Sequence, residues 1–287
     1  MKRIATIGFF DGVHKGHCFL FEHLRALAAQ HGLQPLIVTF DSHPRAVLQS
    51  DYTPQLLTSL EERVELLKSY GEVLILPFAD IQPLTATEFM QQLKTQYEVE
   101  ALLMGYDHTF GSDRLRHPQD YKRIGAEVGV EIIGMGEFVE GEWHVSSTEI
   151  RQTLQNGNIA VANDLLGRPY SLCGTVVHGN GIGRTIGFPT ANIQPDDVQK
   201  IIPRNGVYEV DVKGEKVQEK GICNIGTNPT IGNAMRTIEV YIPRFQGDLY
   251  GEHLTLLFTR FIREERKFES LENLKKQIME DLASITC

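Results

Sequence analysis

The stretch that decides the fold is IATIGFFDGVHKGH, residues 4–17. Its apolar start, residues 4–7, predicts a buried strand, and the glycine-rich turn that follows leads into an amphipathic pattern typical of a helix. A helix that begins in this way presents backbone N–H groups and the positive end of its dipole to an anion. His14 and His17 lie on the same rim, where imidazoles can bind a polyphosphate whose charge grows as a bond breaks. The alternative is a turn with two histidines that face solvent.

Short apolar runs repeat after this first strand and alternate with amphipathic helices. Such runs are typical of parallel strands covered on both faces, and they lie at residues 35–40, 73–77, 101–104 and 130–135. The alternation predicts an open parallel α/β sheet with right-handed crossovers, in which ligands bind beyond the carboxyl ends of the strands. We therefore expect one cleft to be shared by the segments that follow the strands: residues 8–17, 41–45, 78–80 and 105–111.

The helices between these strands have recognisable ends. The first presents leucines on one face and stops at Gly32, because glycine readily adopts the left-handed conformation at a helix end. The second begins near residues 58–59 and the third at Thr85, each followed by glutamate placed to complete a capping box. These signals predict where the helices begin and end.

The pattern changes after about Arg168. Short segments of alternating hydrophobicity, separated by glycine, proline and asparagine clusters, lie at residues 172–177, 207–212, 222–225, 237–242 and 254–258. This spacing predicts an antiparallel β-barrel or sandwich, with a closing helix at residues 271–282 and a helical joint between the halves at residues 148–166. The sequence thus predicts an N-terminal domain at residues 1–152, a connecting helical segment at 153–167 and a C-terminal domain at 168–287.

Composition narrows the class of protein. The chain has 287 residues and a net charge of −9 without a basic run, which argues against nucleic acid or an anionic membrane as the main partner. Any polyanionic ligand must therefore be bound locally. The 4 cysteines have no C-x-x-C spacing, and neither a signal-peptide pattern nor a membrane-spanning apolar run is visible. These features predict a protein of the reducing cytoplasm.

A second glycine-rich element lies in the C-terminal half. Residues 179–192 read GNGIGRTIGFPTAN, a loop that can approach a phosphate closely through its backbone. Thr190 and Asn192 offer oxygen ligands for a hard cation such as Mg²⁺. The element lacks the G-K-[ST] ending of a Walker loop. The alternative is a wide β-hairpin with flexible glycines.

Several motifs together carry a resemblance over nearly the whole chain. In order they are GFFDGVHKGH, TFDSHPRAVL, GYDHTFG, SSTEIRQTL, LLGRPYSLCGTVVHGNGIGRTIGFPTAN, NIGTNPTIG and the run from Thr237 through GDLYG to REERKF at residues 263–268. The chain resembles the bacterial bifunctional riboflavin kinase and FAD synthetase family. The resemblance implies an N-terminal Rossmann-like nucleotidyltransferase domain that transfers AMP from ATP to FMN. It also implies a C-terminal antiparallel β-barrel with a terminal helix that phosphorylates riboflavin from ATP and Mg²⁺.

The resemblance assigns roles to residues of the N-terminal half. His14 and His17 would stabilise charge on the α-phosphate and on the leaving pyrophosphate. Ser147 and Thr148 suit a helix N-cap, and Arg151 one turn later can bind phosphate oxygens, although a plain capping box from Ser146 would give the same pattern. The full set implied for ATP is Gly8, Phe10, Asp11, Gly12, His14, Gly16, His17, Asp107, Ser147, Thr148 and Arg151.

For the kinase half, the resemblance makes Glu239 the catalytic base that accepts the proton of the riboflavin 5′-hydroxyl. Strand alternation alone would make Glu239 a solvated surface residue. Thr190 and Asn192 would bind Mg²⁺. The set implied for the ATP phosphates is Gly181, Gly183, Arg184, Gly187, Pro189, Thr190 and Asn192.

The sequence departs from the family pattern at a few positions and leaves two alternatives. His108 and Thr109 stand where phenylalanine and arginine are more frequent, Phe9 where asparagine is frequent, and Tyr241 where histidine is common. One alternative is a nucleotidyltransferase of the glycerol-phosphate or pantetheine-phosphate type with an unrelated β domain, which would not need GRTIGFPTAN or GDLYG. The other is a flavin carrier without turnover. The sequence gives no oligomeric state.

Overall fold

The computed structural model describes residues 1–49, 51–106, 108–136, 139–140, 143–179, 182–228 and 235–285. The chain divides into two compact units, Met1–Ser147 and Thr148–Cys287. The division falls before the predicted helical joint, so the second unit contains that joint as well as the short strands that begin after Arg168. Each unit has its own sheet.

The first unit contains a five-stranded parallel sheet, as predicted. Its elements are β1 (Arg3–Ile7), α1 (Lys15–His31), β2 (Gln34–Phe40), α2 (Pro44–Leu48), α3 (Leu60–Lys68), β3 (Glu72–Leu76), α4 (Phe78–Ile81), α5 (Ala86–Tyr97), β4 (Val99–Met104), α6 (Pro118–Val128), β5 (Glu131–Gly134), β6 (Val139–Glu140) and β7 (Trp143–His144). The strand order in the sheet is β3-β2-β1-β4-β5. Because β1 lies at the centre, the turn that follows it lies between the ends of β2 and β4.

Both faces of this sheet are buried. Successive side chains of β1 point to opposite faces, so Ile4 packs with α1 residues such as Leu24, while Ala5 packs with α5 residues such as Phe89. This two-sided burial explains why the strands are almost continuously apolar. The sheet therefore holds the carboxyl end of β1 rigidly.

The predicted helix ends are confirmed. Ser59 caps α3 and Thr85 caps α5, each in a complete capping box with the glutamate three residues later. The backbone of Gly32 ends α1 in the left-handed conformation, with φ of 65°. These signals are local, and the sequence is sufficient to locate them.

The second unit is a closed antiparallel barrel, which decides between the barrel and the sandwich. Its elements are α7 (Ser147–Gln155), which begins at the last residue of the first unit, α8 (Ile159–Leu166), β8 (Tyr170–Val177), α9 (Ile182–Thr185), β9 (Thr190–Pro195), β10 (Gly206–Lys213), β11 (Gln218–Asn228), β12 (Met235–Tyr241), β13 (His253–Arg263) and α10 (Leu271–Ser284). The strand order around the barrel is β10-β11-β12-β9-β8-β13.

The predicted joint at residues 148–166 is helical and consists of two helices, because Gly157 adopts a φ of 79° between α7 and α8. One expectation for this half needs correction. The end of the glycine-rich element is strand β9, which the sequence analysis treated as loop. In β9 only Ile193 is fully buried, so its own pattern is weak, and pairing with β8 and β12 on its two sides makes it a strand.

Candidate active sites

The turn after β1 is strained. Phe10 and Val13 have φ values of 54° and 40°, in the left-handed region that residues other than glycine rarely adopt, and Gly12 between them has a φ of 80°. A β-branched residue such as Val13 is a particular outlier there. Such conformations persist where the surrounding structure enforces them, and they cluster at functional sites.

Asp11 fixes this turn from within. Its carboxylate is buried and accepts hydrogen bonds from the backbone N–H groups of Leu57 and Thr58, each at 3.0 Å. The backbone carbonyl of Asp11 accepts a hydrogen bond from the hydroxyl of Ser147 at 2.9 Å. In this structure Asp11 thus shapes the turn by binding two distant segments of the chain.

The two histidines lie face to face at the start of α1. The rings of His14 and His17 stack with their centroids 3.6 Å apart and an interplanar angle of 17°. His14 is the N-cap residue, and its Nδ1 accepts a hydrogen bond from the backbone N–H of His17 at 3.4 Å. His14 is only 5% exposed and His17 is partly buried, so the alternative of two solvent-facing histidines is wrong.

Rings beside the histidine pair leave little room for a side chain at two glycines. A Cβ at Gly8 would lie 2.6 Å from the ring of Phe10, and one at Gly16 would lie 3.3 Å from the ring of His14. The Phe10 ring in turn packs edge-on against His17, with centroids 5.2 Å apart. The glycines let the turn close tightly around the imidazole pair.

Three of the predicted strand-end segments meet at one edge of the sheet. The ring of Phe9 packs against that of His43 at 4.9 Å, and the backbone carbonyl of Phe9 accepts a hydrogen bond from the Thr39 hydroxyl at 3.2 Å. The carboxylate of Asp41 accepts a hydrogen bond from the N–H of Phe78 at 3.0 Å. The fourth segment follows β4 at the same edge, which is the edge where ligands bind in such sheets.

The remaining residues predicted for the first site lie at the start of α7. That helix begins at Ser147, so Ser147 and Thr148 are its first two residues, and Ser146, where the alternative capping box would begin, precedes it. Ser147 instead contacts Asp11, as described above. Thr148 is exposed and Arg151 is partly buried, both within the second compact unit. Asp107 lies outside the described residues.

In the second unit, the structure brings together the three residues that the sequence predicts to act with one another. In the register of β12 and β9, Glu239 lies opposite Asn192, two residues from the pair of Tyr241 and Thr190. All four are therefore on one face. The Thr190 hydroxyl donates a hydrogen bond to the Glu239 carboxylate at 3.1 Å. Glu239 is half-buried, so the expectation from alternation alone, a solvated residue, is wrong.

The glycine-rich loop connects β8 to its antiparallel neighbour β9 and folds back onto this face. The backbone N–H of Phe188 donates to the carbonyl of Gly183 at 2.8 Å, and a Cβ at Gly183 would collide with the carbonyl of Phe188. Gly187 has a φ of 88°, which favours glycine. The loop is therefore a wide hairpin connection and also a tight backbone turn beside Thr190. Arg184 and Pro189 are exposed, and Gly181 lies outside the described residues.

Two cavities meet at Thr190. The larger, of about 240 Å³, lies between the loop, β12 and α10, and Glu239 lines it. The smaller, of about 90 Å³, is lined by Arg184, Pro189 and residues of the segment 247–250, which contains the GDLYG motif. Because Thr190 lines both cavities, two ligands could meet beside its hydroxyl and the Glu239 carboxylate.

Comparison with known proteins decides the family. A family model described as FAD synthetase matches residues 1–149, and one described as riboflavin kinase matches residues 166–286. A bifunctional riboflavin kinase/FMN adenylyltransferase from Escherichia coli K12 is 38% identical over 285 residues, covering 97% of this chain and 90% of that protein. This chain belongs to the bifunctional riboflavin kinase/FMN adenylyltransferase family. Both enzymatic domains of the family are present.

Further relatives agree with that assignment. The bifunctional enzyme of Listeria monocytogenes is 34% identical and covers 98% of this chain and 90% of its own length. A crystal structure from Streptococcus pneumoniae, named there as a macrolide-efflux protein, has a TM-score of 0.90 and 34% identity over 98% of this chain and 93% of that one. Among the described residues of this chain, no helix is long and apolar enough to cross a membrane. The riboflavin kinase match excludes an unrelated β domain.

The sequence analysis assigned no role to several residues that line the larger cavity, although some of them lie in the motifs that carry the resemblance. Arg263 of β13 makes a two-pronged ion pair with Asp281 of α10, at 2.8 Å between Nη2 and Oδ2. Asn224 of β11 and Phe268 also line this cavity. The charged run at residues 263–267 was a signal in the sequence for this region. Only the packing of α10 against the barrel shows that Arg263 is the residue of this run that pairs with Asp281 beside the cavity.

The donor set around Glu239 suits Mg²⁺. The described residues hold no cluster of three or more histidine, cysteine, aspartate or glutamate side chains that could bind a metal by themselves. Thr190 and Asn192 instead offer a hydroxyl and an amide oxygen. Mg²⁺ takes few protein oxygens and completes its shell with phosphate oxygens and water, so this sparse set fits a cation that arrives with a nucleotide.

Proposed function

We propose that the C-terminal unit phosphorylates riboflavin at the face formed by Glu239, Thr190 and Asn192, and that the N-terminal unit adenylylates FMN at the turn before α1. The observation that carries the proposal is the hydrogen bond between Thr190 and Glu239 at the meeting point of two cavities. Both residues of this hydrogen bond lie in the part of the chain that matches the riboflavin kinase model, residues 166–286. One polypeptide thus makes FMN and then consumes it.

In the kinase reaction, the 5′-hydroxyl oxygen of riboflavin forms a bond to the γ-phosphorus of ATP. The bond from that phosphorus to the bridging oxygen breaks, and ADP leaves with the electron pair. Glu239 accepts the hydroxyl proton, and the Thr190 hydroxyl orients the carboxylate that receives it. The half-burial of Glu239 keeps its carboxylate in a defined position beside the larger cavity.

Mg²⁺ is the metal we propose for this reaction. Thr190 and Asn192 would hold it, and Gly183, Gly187, Arg184 and Pro189, with Gly181, would surround the phosphates. The ion supplies neutralisation of phosphate charge. The oxygen donors of Thr190 and Asn192, two residues apart in β9 and therefore on the same face, support this proposal.

In the second reaction, a phosphate oxygen of FMN forms a bond to the α-phosphorus of ATP while the bond to pyrophosphate breaks. His14 and His17 would donate hydrogen bonds to phosphate oxygens as charge develops on them, and the N–H groups at the start of α1 would add to that field. The strained turn before His14 supports this role, because it holds the imidazoles without a costly rearrangement during the reaction. Arg151, Thr148 and Asp107 are proposed to contact the same nucleotide.

We also propose a cytoplasmic enzyme that acts on small molecules rather than on nucleic acid. The net charge of −9 supports the second point, because a nucleic-acid surface would repel it. Cys18, Cys173 and Cys223 form no disulfide with one another, which suits a reducing compartment.

The direct test gives purified protein riboflavin, ATP and Mg²⁺ and separates the flavins by chromatography. We expect FMN to appear first and FAD to follow, with ADP formed in the first step and pyrophosphate in the second. A parallel sample with EDTA in place of Mg²⁺ should make no FMN. A yellow protein that binds flavin and consumes no ATP would overturn the proposal and indicate a flavin carrier.

A further inference from the structure

A buried arginine lies beneath the turn that leads to the two histidines. Arg63 of α3 is 1% exposed, and its Nη2 donates a hydrogen bond to the carbonyl of Phe40, the last residue of β2, at 2.6 Å. Its guanidinium lies 4.0 Å from the centre of the Phe9 ring. Phe9 is the second residue of the turn after β1. Arg63 therefore connects the carboxyl end of β2 with the beginning of that turn.

The residues just before α3 hold the next part of the same turn. The hydroxyl of Thr58 accepts a hydrogen bond from the N–H of Gly12 at 3.0 Å and donates one to the carboxylate of Asp11 at 3.2 Å. Thr58 is 2% exposed. Together with Arg63 it contacts three of the four residues from Phe9 to Gly12. We call Thr58 and Arg63 the brace.

The turn needs such a brace because its backbone does not favour the shape it has. Phe10 and Val13 both adopt positive φ, and Val13 directly precedes His14. Without outside contacts, these residues would relax toward ordinary conformations and change the direction in which α1 and its first histidines point. The contacts of the brace lie on either side of Phe10, at Phe9, Asp11 and Gly12.

Arg63 keeps its charge in this buried position. Burial lowers its pKa to about 10, and the carboxylates of Asp11, Glu61 and Asp41 act in the opposite direction. The side chain is therefore a cation at neutral pH, attracted to the Phe9 ring and to the Asp11 carboxylate within the turn. Being almost fully buried, it cannot touch a substrate, and it acts only through the turn.

We propose that Thr58 and Arg63 are positioning residues for adenylyl transfer, which hold the strained turn so that His14 and His17 meet the reacting phosphates. This inference rests on the proposed function of the N-terminal unit. It differs from a purely stabilising role in one measurable respect. Displacement of His14 and His17 lowers kcat, because these histidines act on the transition state. The KM values change little, because the flavin and the adenine are bound by other parts of the unit.

The test compares Thr58→Val, Arg63→Lys and Arg63→Met in the full chain. Thr58→Val keeps the shape of the side chain but removes both of its hydrogen bonds. We expect Thr58→Val and Arg63→Met to lower kcat for conversion of FMN to FAD by about tenfold or more, with KM for FMN changed less than about twofold. Arg63→Lys should recover part of the loss, because it restores the cation over Phe9.

The same preparations provide the controls. Conversion of riboflavin to FMN by the other unit should stay unchanged, and Arg123→Met, which removes an exposed arginine paired with Glu127 on α6, should affect neither reaction. If Arg63→Met does not fold, Thr58→Val and Arg63→Lys carry the test. Folded variants with an unaltered kcat for FAD formation would overturn the inference. If the unaltered chain makes no FAD from FMN, the proposed function itself fails first, which separates the two outcomes.

Discussion

At Gly179 the absence of a side chain allows the kinase loop to approach Asn192. A Cβ at this position would collide with the side-chain amide of Asn192, the group proposed to bind Mg²⁺. The atoms that the Cβ would meet are all at the end of the Asn192 side chain, so the clash is relieved when that amide moves away from its position on β9. The requirement for glycine at this position arises from one contact and not from backbone conformation.

We predict that Gly179→Ala impairs only the kinase reaction. The added methyl group should displace the Asn192 amide, raise KM for Mg²⁺-ATP and lower the rate of FMN formation by about tenfold or more. The measurement is chromatography of riboflavin to FMN and of FMN to FAD with the same preparation. Gly134→Ala is the matched control, because a Cβ there meets nothing within 4 Å. An unchanged rate of FMN formation in Gly179→Ala would contradict the role of Asn192.

Residues of the candidate sites differ in how far the sequence could place them. His14 and His17 were predictable as neighbours, since they are three residues apart at a helix start. The contact of Glu239 with Thr190 depends on the register of β12 against β9, which no local pattern records. Here the resemblance, and not the alternation, indicated that Glu239 acts with Thr190.

At the scale of elements, the helix ends with local capping signals and the strands with an apolar pattern of their own were predicted, whereas strand β9, which has little such pattern, was not. The capping boxes at Ser59 and Thr85 lie within four residues of sequence and were located correctly. Strand β9 has little apolar pattern of its own and exists because strands pair with it on both sides. The break at Gly157 was hidden because apolar residues continue on both sides of it.

The capping box of α5 predicts a pH-dependent contribution to stability. The backbone N–H and the hydroxyl of Thr85 both donate to the Glu88 carboxylate, each at 2.8 Å, and they hold the pKa of Glu88 below its ordinary value. A carboxylate with a lowered pKa in the folded state stabilises the fold above its unfolded pKa. That stabilisation is lost as the pH falls through the folded pKa.

We therefore expect Glu88→Gln to have a lower urea midpoint than the unaltered protein at pH 7. The difference between the two midpoints should shrink as the pH falls below the lowered pKa of Glu88. Urea denaturation at a series of pH values checks this. Glu65→Gln, which alters an exposed ion pair with Lys68 on α3, is the control and should change the midpoint little. A Glu88→Gln difference that is the same at every pH would contradict the capping explanation.

At the scale of the whole molecule, two family models divide the chain, and each covers one candidate site. The stacked histidines belong to the unit that matches FAD synthetase, and Glu239 belongs to the unit that matches riboflavin kinase. FMN, the product of the riboflavin kinase reaction, is the acceptor of AMP in the FAD synthetase reaction. The chain is acidic overall, so both units must bind their polyanionic substrates through local groups, as the glycine-rich turns allow.

The central claim is that two reactions take place at two separate sites, and the paired variants His17→Ala and Glu239→Gln test it most directly. His31→Ala, at the exposed end of α1, and Glu269→Gln, at an exposed position, are the matched controls. Each protein receives riboflavin with ATP and Mg²⁺ in one assay and FMN with ATP and Mg²⁺ in another. Chromatography measures FMN and FAD.

We predict that His17→Ala makes FMN at the normal rate and stops there, because FAD formation falls by about 10²-fold or more. Glu239→Gln should lose FMN formation by about 10²-fold or more and still convert supplied FMN to FAD at the normal rate. The control variants should perform both reactions. Full kinase activity in Glu239→Gln, or loss of both reactions in each folded variant, would contradict the account.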